Sequence, residues 1–139
     1  MSAAQAVEIL LVEDSPDDAE LTLRALRLRL ANGVVHARDG EEALRFLLEG
    51  DSPPPRLVLL DLKMPKIGGL EVLQRLRADP RTRTVPVVIL TSSKEEPDVA
   101  AGYALGANSY IVKPVEFENF QEAVARIGLY WVLLNHAPR

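Results

Sequence analysis

The chain has 139 residues, 47% of them apolar and 26% charged, with a formal charge of −4 and no cysteine. This balance fits one globular domain with a real core and excludes a disordered tail, a disulfide scaffold and a thiolate metal site. The acidic pI, near 5.2, argues against nucleic acid as a general partner. No apolar stretch approaches the ~18 residues of a membrane span. Residues 1–7 lack the basic and apolar runs of a signal peptide, so no membrane partner and a cytoplasmic location are expected.

Strands and helices are predicted to alternate five times. Residues 7–12 read as a first strand, whose apolar run Ile9-Leu10-Leu11-Val12 ends in Glu13-Asp14. Ser15-Pro16-Asp17-Asp18 then starts a helix: Ser15 can cap, Pro16 suits the first turn, and the acids favour the positive end of the dipole. That helix carries Leu21, Leu26, Leu28 and Leu30 and stops near Asn32-Gly33. Arg24, Arg27, Arg29 and Arg38 form either a small basic patch or an ordinary solvated face. A second strand spans 34–37 and a second helix 40–48, with Ala43, Leu44, Leu47 and Leu48 inward. After Pro53-Pro54-Pro55, a stiff spacer, Leu57-Val58-Leu59-Leu60-Asp61 puts four apolar residues before a bare carboxylate. A loop with Pro65 and Gly68-Gly69 leads into a third helix that Asp79-Pro80 ends. The fourth strand spans 85–90 and delivers Thr91-Ser92; a fourth helix follows over 98–105 and stops at Gly106. The fifth strand, 109–112, delivers Lys113-Pro114, and the fifth helix is predicted over 116–134.

Five short βα units give a parallel sheet with helices on both faces, and in such sheets sites form at the strand carboxyl ends. Asp14, Asp61, Thr91 and Lys113 should therefore meet at one edge. Three close carboxylates repel: at ~4 Å and an effective dielectric of ~20, each pair costs about 4 kcal/mol. A hard divalent cation relieves this, and oxygen-only ligands point to Mg2+. Asp14 and Asp61 would bind it directly, Glu13 directly or through water, and the backbone carbonyl of Lys63 could complete the set. A carboxylate can attack phosphorus to give an acyl phosphate. Lys113 would supply a fixed positive charge, and the Thr91 hydroxyl a donor, to the phosphoryl oxygens, while Ser92 leaves room.

The segments "ILLVEDSPDD", "LVLLDLKMPKIGG", "VVILTSS" and "SYIVKPV" resemble the receiver domain of two-component response regulators. The resemblance runs from Ile9 to Val115. It implies a CheY-like, flavodoxin-like doubly wound α/β fold, a single domain with strand order 2-1-3-4-5. It also implies Asp61 as phosphoacceptor, Glu13 and Asp14 as the acid pocket, and Thr91 as switch hydroxyl. Lys113 would be the family lysine, with a cis bond to Pro114. Tyr110 matches the aromatic switch, whose ring turns inward as Thr91 moves toward the phosphate. Lys63 and Ser93 stand where variation tunes phosphate lifetime. The donor would be a sensor histidine kinase, and the molecule a switch rather than an enzyme. "DSPDDAELTLRAL" and "GLYWVLLN" are similar to the small regulators that partner bacterial phytochrome kinases.

A receiver core over about 7–128 leaves an extension, 129–139, too short for an output module. Output would then be a protein contact or onward transfer to a histidine phosphotransfer protein. Phe120, Val124, Ile127, Trp131 and Leu134 form one apolar stripe of helix five, while Leu129, Tyr130, Val132 and Leu133 make its end apolar all round. Either this tail folds back or it pairs two copies through Tyr130, Trp131, Leu133 and Leu134. Two competing readings are a receiver that works without phosphorylation and a haloacid-dehalogenase-like phosphatase. The latter needs a second acid two residues after the nucleophile, where Lys63 stands.

Overall fold

The computed structural model describes residues 8–27, 33–51, 53–93 and 96–129. In chain order they form β1 (Ile9–Val12), α1 (Pro16–Arg27), β2 (Val34–Ala37), α2 (Gly40–Leu48), β3 (Leu57–Asp61), α3 (Gly69–Ala78), β4 (Val87–Thr91), α4 (Pro97–Ala104), β5 (Ser109–Val112) and α5 (Phe117–Arg126). The five strands make one sheet, order β2-β1-β3-β4-β5, and every neighbouring pair is parallel.

The continuous apolar runs follow from burial on both faces. Ile9 and Leu11 of β1, Leu57 and Leu59 of β3, and Val88 and Leu90 of β4 pack with Leu26 of α1 and Phe120 and Val124 of α5. Their neighbours Leu10, Val12, Val58, Leu60, Val87 and Ile89 face the other way, onto Leu44 and Leu47 of α2 and Val72, Leu73 and Leu76 of α3. Successive side chains alternate across a strand, so both sets had to be apolar.

Local chemistry places the helix ends. Ser15 Oγ accepts from the Asp18 amide at 3.2 Å, and Asp39 Oδ1 from the Glu42 amide at 2.8 Å. Gly69 allows α3 to start directly beneath β3, because a Cβ there would run into the Asp61 carbonyl oxygen and the Leu62 Cα.

The starts of β1 and α5 and both ends of α4 fall within two residues of the sequence reading, whereas β4 and the end of α5 differ for identifiable physical reasons. β4 begins at Val87 rather than 85, since Pro86 has no N–H to give and the Val85 amide closes a turn on Thr82 O. The same strand runs on to include Thr91, which pairs with Val112. The larger correction concerns α5, which ends at Arg126 and not at 134. Gly128 adopts φ +82°; its amide bonds to Ala125 O, and the Leu129 amide turns back to Val124 O. This is a Schellman closure, and Leu129 seals it by packing on the core beside Val124. Of the apolar stripe, Phe120 and Val124 are buried in the core and Ile127 packs against that core. Trp131 and Leu134, with Tyr130 and Leu133, lie outside the described residues, as do Leu28, Arg29 and Leu30 of the first helix region.

Among the described residues, the arginines near α1 each have a partner, and Arg29 lies outside them. Arg24 pairs with Glu20, Arg27 donates to Val34 O and Arg38 pairs with Glu42.

Candidate functional site

The site is built from strand ends. β1 stops at Val12, so Glu13 and Asp14 turn off the sheet beside the end of β3, whose last residue is Asp61. β4 ends in Thr91 and β5 is followed by Lys113. These five residues, with Ser92 and Lys63, line one cleft of about 200 Å³. One carboxylate oxygen from each of Glu13, Asp14 and Asp61 lies within 4.8 Å of the others.

Burial sets the electrostatics. Glu13 is fully buried and Asp61 is 4% exposed. Burial, then the adjoining Glu13 carboxylate, pushes Asp61 up to about 6, well above the ordinary carboxylate range. Burial followed by the charge of Asp61 also raises Asp14. Lys113 is the cation that answers these acids. Its Nζ lies 3.2 Å from Glu13 Oε1, 3.1 Å from Asp18 Oδ2 and 3.7 Å from Asp61 Oδ2. Burial works to lower the ammonium, but Asp61, Asp18 and Glu13 outweigh it and leave it above its usual value.

Smaller contacts hold these groups in place. The Ser15 amide donates to Glu13 Oε2 at 3.2 Å, and His36 Nε2 hydrogen-bonds the Glu13 carbonyl oxygen at 2.8 Å. The Lys63 amide donates to Asp61 Oδ1 at 3.2 Å, which aims the carboxylate. The Thr91 hydroxyl donates to Ser93 O at 3.0 Å, which keeps it at the cleft wall. The Lys63 side chain leaves the cleft mouth to pair with Glu96, the residue before α4, at 3.2 Å. The Lys113–Pro114 bond is cis. Tyr110 is half-buried on β5, its ring edge-to-face with Tyr103 of α4 at 6.4 Å.

Three mutually repelling carboxylates, two of them raised toward the neutral form, are a poor resting arrangement and a good oxygen cage. The donor set fits a hard divalent cation, which would return Asp14 and Asp61 to the charged form.

A buried carboxylate at the end of β3, two acids after β1, a hydroxyl at the end of β4 and a lysine after β5 coincide with a family match. Residues 9–125 correspond to the "Response regulator receiver domain". This chain belongs to that family. The receiver is 38% identical to the response regulator Rcp1 of Synechocystis, covering 89% of this chain and 88% of Rcp1. It is 41% identical to FilR2 of Methanothrix harundinacea, a probable methanogenesis regulatory protein, over 94% and 86% of the two chains. Among solved structures, the bacteriophytochrome response regulator AtBRR superposes with TM-score 0.83 at 51% identity, covering 94% of this receiver and 98% of AtBRR. Among the described residues no helix is long and apolar enough to cross a membrane.

One residue of the site escaped the sequence reading. Asp18 was read only as a favourable charge in the first turn of α1, yet it is a direct partner of Lys113. A signal was present in the pattern Ser15-x-x-Asp18. In a complete capping box the acid would bond back to the Ser15 amide. Here Glu13 already takes that amide, so the Asp18 carboxylate is released toward the site.

Proposed function

We propose that this receiver is a phosphorylation-controlled switch that accepts a phosphoryl group on Asp61 from a histidine kinase. One Asp61 carboxylate oxygen forms the new O–P bond as the P–N bond to the donor imidazole breaks, and that electron pair returns to the ring nitrogen. The observation that carries the reading is the placing of one ammonium, Lys113, 3.7 Å from a buried carboxylate that lies among acids. Glu13, Asp14, Asp61 and the Lys63 carbonyl would hold Mg2+, which when bound neutralises the carboxylates and the phosphoryl oxygens. Lys113 supplies a second, fixed positive charge, and Thr91 a hydroxyl that leaves Ser93 O for the phosphoryl group.

Thr91 and Tyr110 are then the switch pair. Movement of Thr91 frees space toward which the half-buried Tyr110 ring turns, altering its contact with Tyr103 and thus the α4–β5 surface. Similarity to AtBRR, and to a second bacteriophytochrome response regulator, RtBRR, at 49% identity, supports a bacterial phytochrome kinase as donor. The cytoplasm is the proposed setting. Output runs through a protein contact, onward transfer to a histidine phosphotransfer protein, or a homodimer built on Tyr130, Trp131, Leu133 and Leu134. In this reading the receiver unit covers about 7–128, and 129–139 is its extension.

Asp61→Asn tests the assignment. With Mg2+ and acetyl phosphate, the natural chain gains an acid-stable, base-labile phosphoryl label, and the variant gains none. Equal labelling of the variant refutes the assignment.

A further inference from the structure

Lys113 is held by a residue outside the metal-facing set. An ammonium has three N–H donors and no acceptor. Two of those of Lys113 are spent at hydrogen-bond distance, on Glu13 Oε1 at 3.2 Å and Asp18 Oδ2 at 3.1 Å. The third faces Asp61 Oδ2, but 3.7 Å is beyond a formed bond. Glu13 is fixed by the Ser15 amide, and Asp18 by its own amide on Ser15 Oγ, so one residue, Ser15, anchors both restraints on the lysine. The usual role of an acid three residues after a serine cap is not open to Asp18, because Glu13 occupies the amide it would use.

We infer that Asp18 is a positioning residue for phosphoryl capture, holding the Lys113 ammonium off the Asp61 carboxylate with one N–H still free to meet the incoming phosphoryl oxygens. The inference rests on Asp61 as phosphoacceptor. Without Asp18 the flexible lysine closes the gap and ion-pairs directly with Asp61. The nucleophile's lone pairs are then engaged, and the N–H that should meet phosphoryl oxygen is consumed. Asp18 does not line the cleft and bonds the lysine from the α1 side, so its loss leaves the phosphodonor's entry unchanged.

The test compares the natural chain with Asp18→Ala and Asp18→Glu at saturating Mg2+. Acetyl phosphate labelling is resolved into half-saturation and limiting rate, and the affinity for beryllium trifluoride, a tetrahedral phosphoryl mimic, is measured beside it. Asp18→Ala should lower the limiting rate about tenfold with half-saturation unchanged, and weaken beryllium trifluoride binding by about the same factor, the worth of one charge-assisted hydrogen bond. Asp18→Glu should recover most of both. Melting temperatures should agree, since the Asp18 side chain is 43% exposed and such pairs add little to stability. Natural rates and affinity in Asp18→Ala overturn the inference, as does a deficit that Asp18→Glu leaves in place. Absence of label on the natural chain is a different failure: it removes Asp61 as acceptor, and the positioning role with it.

Discussion

The two ends of the one sheet handle charge in opposite ways. At the amino ends of β4 and β5 the cation is Arg77, from the last turn of α3. It donates to Val85 O at 2.8 Å, to Gly106 O at 2.8 Å and to Asn108 Oδ1 at 3.3 Å. Asn108 in turn takes the Val87 amide. Each acceptor is neutral, its geometry is met, and nothing there asks for a ligand. At the carboxyl ends, one lysine faces three carboxylates with a fourth, Asp14, close by. The first arrangement is saturated and the second is left short of positive charge. A buried polar network contributes stability only when every member is satisfied; a deficient one stores a demand for a ligand. The fold supports both, because strand carboxyl ends leave room in the loops for groups that the strands themselves cannot pair.

The largest expected effect sharpens that contrast at the deficient end. Asp61 is raised from 3.8 to about 6, so the folded state holds its proton more tightly than the unfolded chain. The stability this confers is present below pH 4 and is lost as pH rises through 6, a change of ~3 kcal/mol. Metal-free protein should therefore unfold at lower urea concentration at pH 8 than the Asp61→Asn variant, with the two converging near pH 4. Saturating Mg2+ should close most of the gap at pH 8 by favouring the charged form. Equal urea midpoints for the two proteins at pH 8 without metal would show that the carboxylate is not under this load.

Arg77→Ala acts at the saturated end. It leaves the Val85 and Gly106 carbonyls without their donor, and a loss of about 2 kcal/mol is expected in urea titration. Because no ligand demand exists there, phosphoryl labelling should be unchanged. A variant with natural stability and impaired labelling would erase the distinction between the ends. The smallest effect is Lys66→Gly. Lys66 has φ +66° in the β3–α3 loop, a left-handed conformation that costs a side-chain-bearing residue. Glycine adopts it freely but loses more entropy on folding, so the net gain should be only about 0.5 kcal/mol, seen as a small rise in melting temperature. A fall would indicate that the Lys66 side chain makes a stabilising contact.

Much of the site was legible because parallel strands are short, apolar and abruptly ended. Asp61 closes four apolar residues, so its position at the sheet edge could be read without coordinates, and Pro65 with Gly68-Gly69 marked the loop that leads into α3. Asp18 was not legible in this way. Its partner lies 95 residues away, and the only local hint is a capping pattern whose usual bond another acid has taken. The end of α5 misled for a related reason. Ile127 through Leu134 continues a helical pattern, and one glycine, Gly128, weighs lightly against it until Leu129 is seen packed on the core, its amide turned back to Val124 O.

The sequence by itself determined the order of elements, the two-sided burial of the strands and the chemical types gathered at their carboxyl ends. These follow from side-chain alternation and from apolar runs that no exposed strand could carry. Only the tertiary structure decided that one ammonium is shared among Glu13, Asp18 and Asp61 at unequal distances, and that the last helix closes at Arg126. Both are settled by contacts between residues distant in the chain or by packing on a formed core, and neither exists until the sheet and its helices have assembled.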